Sequence, residues 1–572
     1  MGKVLFTLTE SFDRKSGIIR KYGQAIAIIQ DKQGYTPLHY AESQETAQLV
    51  LETVCESKRR EFIFTLNEDL ETAIHTAAWW QQNDVVRFLL DYAVSNHFAC
   101  SLLAIKNLWG KTALHRAGNV TVARFMVEAI RDPTKREEFV MTTNSYRKTG
   151  LHMACGNRKT GVAKYLLSLT DLDIDKLLFV KNEWGNTALH NTDYGEIARL
   201  LLDAVSSNHY QRFIAEINND NETALHVACE EGRNDVVEVI LSKSGNISSL
   251  LLMQRDLDLN TPLHKAANFS ISKTLTLVAA SAGIIDQLLT AVNKRNRNTL
   301  HIACVEGRNL VVEHLLTFES TNLFTSGDGG NTPLLLAIDH GHIEIMSFIL
   351  LTYENHPQML KDLMQHRNKF GQNVFHLACR HIKYAEYYAV LKDYIHMVDI
   401  TDISGPDILG NTPLHYLVGT YNVAQFADHI MRLSLLHRRR YLLHTYNSTN
   451  TNCKDVISQS EGKEDVNKIF LQSILNVDSN SLFEFYESRI TFADMYKEQL
   501  YKTQNLSLNF DPQLLKVMMY ALNEYSLMSV ACTALLPQSK QQRSIPVSLL
   551  GSFWSFSLFV VERQFYSSII TV

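Results

Sequence analysis

The chain has 572 residues, of which 45% are hydrophobic and 20% charged, and its formal net charge at pH 7 is −5. These proportions are those of a folded soluble protein, and they exclude an intrinsically disordered chain. The mild negative charge argues against a general affinity for polyanions such as nucleic acid.

One short phrase, Thr-x-Leu-His, recurs along the chain. Eleven copies, some of them degenerate, lie 34 to 41 residues apart. This period predicts a stack of repeated helical units rather than a globular enzyme. The copies begin at Thr36, Thr72, Thr112, Thr149, Thr187, Thr223, Thr261, Asn298, Thr332, Asn373 and Thr412.

The sixth repeat shows how one unit is built. Thr223 opens a short first helix, in which Leu225 and Ala228 are predicted to face inward. Gly232 is predicted to turn the chain with a left-handed backbone, and the apolar run 236–241 forms a second helix. One unit cannot bury both of its helices, so each unit must stack on its neighbours.

The motif, the unit and the spacing resemble ankyrin repeats over about the first five-sixths of the chain. The resemblance implies an all-α ankyrin-repeat solenoid of about 11–12 helix-pair repeats with short hairpin loops. It also implies that protein partners bind to the hairpin tips and first helices, which line a concave groove.

We expect three regions: an N-terminal lead-in or cap over 1–30, the repeat array over 31–478, and a helical C-terminal extension over 479–572. A degenerate twelfth repeat, with Asp455 in place of the motif histidine, is expected to cap the array, since an exposed terminal face needs polar residues. Repeats one, three and five are about three residues short between their helices, so short and full repeats alternate at the start. The run 176–182 is predicted to extend a second helix.

Five aromatic residues mark a candidate partner-binding face on repeats two to five. Trp109, Tyr146 and Trp184 hold the same hairpin-tip slot in three consecutive repeats, and Trp79 and Trp80 end the first helix of repeat two. Rings at neighbouring tips would form a ladder, and Trp and Tyr dominate binding hot spots. The alternative is that each tip ring packs on the adjacent hairpin, and that Trp79 supports the shortened repeats beside it.

The recurring histidines and cysteines indicate structure rather than chemistry. Catalysis needs one constellation, whereas this histidine recurs in almost every repeat, so we expect it to hydrogen-bond the helix start to the hairpin. Neither a Gly-rich phosphate loop nor a nucleophile elbow is present, and no enzymatic activity, cofactor or metal is expected. A cysteine three residues after the histidine is expected to be a small buried side chain, because Ala holds that slot elsewhere; the four are Cys155, Cys229, Cys304 and Cys379.

The C-terminal extension leaves alternatives open. Residues 545–561 are uncharged and reach the short limit for a membrane span, although four serines and a proline weaken that interpretation. A buried segment or a poorly folded end remains equally open. Because no secretory signal begins the chain and reduced thiols suit the cytosol, we expect a cytoplasmic protein, with a tail anchor at an intracellular membrane as the alternative.

The sequence therefore favours a non-enzymatic scaffold or adaptor, expected to be monomeric, that binds protein partners and not nucleic acid. The alternative is that the repeats target a bacterial-type effector whose activity or membrane tether lies in 479–572. That extension contains no histidine, which excludes a Cys–His enzyme confined to it.

Overall fold

The computed structural model describes residues 28–319, 323–381, 384–398, 405–417 and 447–449. These residues are helices and turns, and the one extended pairing among them is an isolated bridge between Ile217 and Thr223. The fold is all-α, as predicted. The chain divides into two compact units whose boundary falls within residues 304–321. Most of the predicted lead-in, the degenerate repeat at Asp455 and the extension 479–572 lie outside the described residues.

Where a described repeat has a first helix, the helix begins directly after the motif threonine or the asparagine that replaces it. In repeat four, Thr149 has an extended backbone, and its side chain accepts a hydrogen bond from the backbone N–H of His152. This capping satisfies a backbone donor that the helix itself leaves unpaired. The first helices are Ala73–Trp79, the 3-10 turn Ala113–Arg116, Gly150–Gly156, Ala224–Glu230, Thr299–Val305, Pro333–Asp339, Val374–Arg380 and Pro413–Leu417.

In repeats one to ten, a second helix runs back across the unit and supplies much of the core. In repeat two, Val86, Leu89 and Leu90 are buried at helical spacing. Gly232 precedes the second helix of repeat six with φ 72°, which confirms the predicted left-handed turn. The second helices are Gln44–Glu52, Asn83–Ser95, Val120–Glu128, Thr160–Leu167, Gly195–Ala204, Asn234–Ser244, Phe269–Ser281, Asn309–Leu315, Ile343–Thr352 and Tyr384–Leu391.

Most units contain a third helix, so the predicted extension of the second helix over 176–182 is wrong. The second helix of repeat four ends at Leu167, and a new helix begins after Asp173, whose carboxylate accepts the N–H of Lys176 at 3.0 Å. The apolar run marks this helix because Leu177 and Leu178 are buried. The third helices are Glu56–Ile63, Ala99–Leu103, Pro133–Met141, Ile174–Leu178, Tyr210–Ile214, Ser248–Met253, Ile285–Thr290 and Pro357–Gln365. Further 3-10 turns are Gly245–Ile247, Asp328–Gly330 and Ile395–Met397.

Short and full repeats alternate further than the sequence analysis expected. In repeats one, three and five the residue that caps the second helix follows the motif histidine by four positions, whereas in full repeats it follows by seven. Repeat seven is also short, because Asn268 caps its second helix four residues after His264. The alternation therefore runs through the first seven repeats.

In repeats one to seven, the motif histidine joins its repeat to the next one. His75 Nδ1 accepts hydrogen bonds from the backbone N–H and the hydroxyl of Thr72, at 3.3 and 2.9 Å, and its Nε2 lies 3.3 Å from the carbonyl of Lys111 in the next repeat. Because Nδ1 accepts, Nε2 carries the proton and the ring is neutral. The predicted structural role is confirmed. Burial lowers the pKa to about 4 at six of these positions, which are His75, His115, His152, His190, His264 and His376.

The four predicted small side chains, Cys155, Cys229, Cys304 and Cys379, are buried free thiols. Burial raises the pKa of Cys155 to about 12, so the thiol is not a nucleophile at neutral pH. One helical run among the described residues, Asn234–Met253, is long and apolar enough to cross a membrane. Its side chains Val236, Val237 and Leu251 are buried in the array, which accounts for its composition.

Candidate functional site

The three predicted tip aromatics occupy one turn geometry in consecutive repeats. The backbone N–H of Trp109 donates to Oδ1 of Asn107, two residues earlier, at 3.1 Å. Tyr146 and Trp184 repeat this bond to their own asparagines at 3.0 Å. This Asx turn fixes the tip and directs its side chain away from the array core. The exposed fractions are 38% for Trp109, 43% for Tyr146 and 45% for Trp184.

The predicted ladder of rings joins repeats four and five. The rings of Tyr146 and Trp184 are stacked, with centroids 5.8 Å apart and planes 14° from parallel. The Trp109 ring contacts a cation instead, since Lys111 Nζ lies 5.9 Å from its centroid. In the same way Lys148 Nζ lies 5.1 Å from the centroid of Trp184. The tips therefore present alternating aromatic and cationic groups.

Trp79 and Trp80 end the first helix of repeat two and differ in their surroundings. Trp80 is 70% exposed. Trp79 is 51% exposed, and the guanidinium of Arg116 lies 4.7 Å from its ring centroid. Arg116 also donates to Glu71, whose side chain is 1% exposed and accepts a second hydrogen bond from Asn107 Nδ2 at 2.7 Å. The contact with Arg116 therefore supports the alternative role for Trp79, in which its side chain stabilises the short repeat beside it.

A cleft of about 410 Å³ lies between the first helices of repeats two and four. It exists because the first helix of repeat three is a single 3-10 turn, three residues shorter than in a full repeat. Gly118 lies in its floor, where a Cβ atom would come within 2.3 Å of Gln81 Cγ. The lining residues are Trp79, Trp80, Gln81, Leu114, His115, Arg116, Ala117, Gly118, Gly150, Met153, Ala154, Asn157, Lys159 and Val162.

Repeat five has the same short first turn, but ionic contacts fill the equivalent space. Asp193 holds the position of Gly118, and its carboxylate pairs with Arg233 at 2.8 Å and with Arg158 at 3.9 Å. Arg233 also donates to the carbonyls of His190 and Thr192, at 3.0 and 3.1 Å. In repeat three, which has Gly118 in place of the acid, these ionic contacts are replaced by the cleft.

The sequence comparison agrees with this architecture. The family described as Ankyrin repeats (3 copies) matches residues 17–98, 174–250 and 275–359. The chain is an ankyrin-repeat protein. Its ankyrin array is a non-catalytic interaction fold of the kind that binds proteins. Among the described residues, no three His, Cys, Asp or Glu side chains are grouped so that they could hold a metal ion.

Three relatives share limited similarity with this ankyrin-repeat chain. A transient receptor potential cation channel subfamily A member 1 homolog of Caenorhabditis elegans is 26% identical over 222 residues, which are 37% of this chain and 16% of the relative. The human channel of that name is 26% identical over 248 residues, or 42% and 20% of the two chains. Tyrosine-protein kinase HTK16 of Hydra vulgaris is 30% identical over 166 residues, or 28% and 19%. The chain thus spans a fifth or less of the length of these relatives.

The structure adds two features to the face that the sequence analysis selected. The cleft depends on a three-residue shortening and a glycine in the same repeat, and both are visible in the sequence once repeats two, three and four are aligned. The cations Lys111, Lys148 and Arg116 lie among the aromatic rings, and the charge of Arg116 reaches Lys111. The lysines precede the motif threonines, so their slot is also readable from the repeat alignment.

Proposed function

We propose that this ankyrin-repeat protein is a non-enzymatic scaffold or adaptor that binds a protein partner through repeats two to five. The observation that carries the proposal is the set of five exposed aromatic side chains in these repeats, two of which line the cleft. Exposed aromatics at this density mark an interaction surface. The five residues are Trp79, Trp80, Trp109, Tyr146 and Trp184.

The physical basis is burial of rings that already have fixed positions. Each aromatic ring buries about 150–250 Å² in an interface, and hot-spot tryptophans contribute about 2 kcal/mol or more each. The tips are held by Asx turns and by the stacking of Tyr146 on Trp184, so little conformational entropy is lost on binding. The cleft accepts an apolar partner side chain between Trp80 and Met153.

A four-site variant tests the proposal. Trp79→Ala, Trp80→Ala, Trp109→Ala and Trp184→Ala are combined, and partners are compared with those of wild type by quantitative proximity labelling. Phe370→Ala is the matched control, because Phe370 is 53% exposed and holds the tip slot of repeat ten.

We expect the four-site variant to lose specific partners while its circular dichroism matches wild type and the control keeps them. Persistence of all partners in a folded variant would place the binding site elsewhere. If the variant unfolds, the single change Trp80→Ala replaces it, since that side chain is 70% exposed.

We extend the non-enzymatic assignment to the whole chain and place it in the cytoplasm. Channel and kinase functions belong to the named relatives, and the similarity covers a fifth or less of each. The tail-anchor and effector alternatives depend on 479–572, outside the described residues. Membrane fractionation of wild type and of a chain lacking 545–561 tests the compartment: loss of membrane association on deletion would replace the cytoplasmic proposal with the tail anchor.

A further inference from the structure

A ladder of hydrogen bonds connects the hairpins of neighbouring repeats. The asparagine that forms each Asx turn uses its side-chain N–H group to reach the residue before the motif threonine in the preceding repeat. Asn218 Nδ2, for example, donates to Asn186 Oδ1 at 2.9 Å. We call this the asparagine ladder, and its other direct bonds include Asn107 to Glu71, Asn293 to Asn260 and Asn368 to Asn331.

The asparagine ladder is broken at the tips that carry Tyr146 and Trp184. The acceptor slot holds Lys111 in repeat three and Lys148 in repeat four, and an ammonium group cannot accept a hydrogen bond. Asn144 Nδ2 and Asn182 Nδ2 are consequently buried without a hydrogen-bond partner in the described part of the chain. Both asparagines are more than nine-tenths buried. A buried donor without a partner is costly, so these two lysines oppose the stability of the array.

The lysines have aromatic rings beside them where an ion pair would be expected. Among the described residues, neither Lys111 nor Lys148 lies within 4.0 Å of a carboxylate oxygen. Burial, and then the charges of Arg116 and Lys148, lower the pKa of Lys111, although the charge of Glu71 acts in the opposite direction. Burial also lowers the pKa of Lys148, although the charge of Glu183 acts in the opposite direction. Both ammonium groups are therefore short of compensating negative charge.

We propose that the partner segment bound by this face is acidic, and that its carboxylates contact Lys111 and Lys148 between the rings of Trp109, Tyr146 and Trp184. The inference rests on the proposed function and adds the chemistry of the partner to it. A carboxylate pairs with the ammonium groups and forms charge-assisted hydrogen bonds with them. Tryptophan faces on either side exclude water and strengthen those bonds.

An acidic peptide fits this face better than a single-stranded nucleic acid, although rings and lysines also serve nucleic-acid binding. The cleft between the first helices of repeats two and four is lined by Leu114, Met153 and Val162, which suit an aliphatic side chain. Arg116 and Lys159 also line it and suit a carboxylate. The chain as a whole carries a net charge of −5, which repels a polyanion at long range. A peptide that alternates acidic and apolar side chains matches both the cations and the cleft.

Fluorescence anisotropy with the full-length protein tests the proposal. The probe is a fluorescein-labelled peptide of alternating glutamate and leucine, and the comparison probes are the glutamine–leucine peptide and an oligothymidylate. We expect the glutamate peptide to bind about tenfold or more tightly than the glutamine peptide at low salt. Its affinity should fall as the salt concentration rises, because the contacts are ionic. Equal binding of the two peptides, or tighter binding of oligothymidylate, would overturn the acidic-peptide proposal.

Charge reversal locates the contact. Lys111→Glu with Lys148→Glu should weaken binding of the glutamate peptide about tenfold or more. Lys135→Glu with Lys164→Glu is the matched control, because these exposed lysines lie on the second and third helices and the change in net charge is the same. Equal loss in the control pair would reduce the effect to overall charge and refute the site.

A methionine variant separates this inference from the proposed function. Lys111→Met with Lys148→Met removes the charges without adding negative ones, and it should also abolish the preference for glutamate over glutamine. If that preference survives in the folded methionine variant, the lysines do not bind the carboxylates. If partner capture depends on Trp80 and Trp109 but no peptide preference exists, the face binds proteins through its rings and only the acidic assignment fails.

Discussion

Replacing the two lysines by asparagine should stabilise the array while weakening the binding that we propose. In Lys111→Asn and Lys148→Asn, the new Oδ1 would accept from Asn144 Nδ2 or Asn182 Nδ2, as Asn186 accepts from Asn218 at 2.9 Å. Pairing a buried orphan donor is worth about 1–3 kcal/mol. The lost contact between the ammonium and the tryptophan ring costs about 0.5–1 kcal/mol at such half-exposed sites. The net gain is about 1 kcal/mol per site, because the first effect exceeds the second.

Hydrogen exchange measured by mass spectrometry is the assay, since a long repeat array does not unfold in a single two-state step. We expect amide exchange in the hairpins 142–148 and 180–186 to slow about fivefold, which corresponds to 1 kcal/mol of local stability. Lys111→Met with Lys148→Met is the control, because methionine removes the charge without supplying an acceptor. Unchanged or faster exchange in the asparagine variant would refute the ladder argument, as would equal slowing in the methionine variant.

Three further predictions follow from the same contacts. The six histidines with folded pKa values of about 4 bind protons more weakly than the unfolded chain, whose value is 6.5, so stability should fall as the pH drops from 6.5 to 4. The loss is about 2 kcal/mol per histidine at pH 5, measurable as faster exchange, and an array equally stable at pH 5 and pH 7 would contradict it. Trp80→Ala should change stability by less than about 0.5 kcal/mol, whereas Trp79→Ala should cost about 1 kcal/mol because the Arg116 contact is lost; amide hydrogen exchange in repeats two and three distinguishes them, and equal costs would count against that contact. Arg116→Ala leaves the buried carboxylate of Glu71 with only its bond from Asn107, at a cost of about 3 kcal/mol; the double variant with Glu71→Gln should recover part of this in the same assay, and no recovery would show that the ion pair is not the cause.

The repeat architecture was predictable because its determinants are local and recur. The motif threonine and histidine act within one turn and on the adjacent hairpin, so eleven copies report the same structure. The number of residues between the two helices also predicts that repeats one, three and five are short. Repeat seven carries the same signal, because Asn268 follows His264 by four residues as Asn119 follows His115. The third helices were misassigned because an apolar run does not show where a chain changes direction, whereas the capping carboxylate of Asp173 does.

The candidate site could be predicted in part, because the position of each aromatic residue within its repeat is also a local feature. Exposure of the five aromatics followed from their slots in the repeat, and the structure places all five at the surface. The cleft could not be seen in one repeat, because it requires the shortening of repeat three together with full repeats on both sides and Gly118 between them. The cation–ring contacts were missed because Arg116 and Trp79 lie in different repeats and come together only through stacking.

The irregularities of repeats two to five are significant because other repeats keep the hydrogen bonds between neighbouring hairpins. In repeats two, five, seven and nine, the residue before the motif threonine accepts a hydrogen bond from the asparagine of the next repeat. A residue at this position can therefore stabilise the stack. At repeats three and four this position holds Lys111 and Lys148, which leave two buried donors unpaired, although asparagine at the same position would pair them. Repeats three and four therefore lack a stabilising acceptor that repeats two, five, seven and nine have, and exposed tryptophans lie beside them. Such a departure indicates that function is favoured over stability in repeats three and four. Because the cleft at the short repeat three lies in the same region, the binding of an acidic, apolar peptide accounts for the cations and the cleft together.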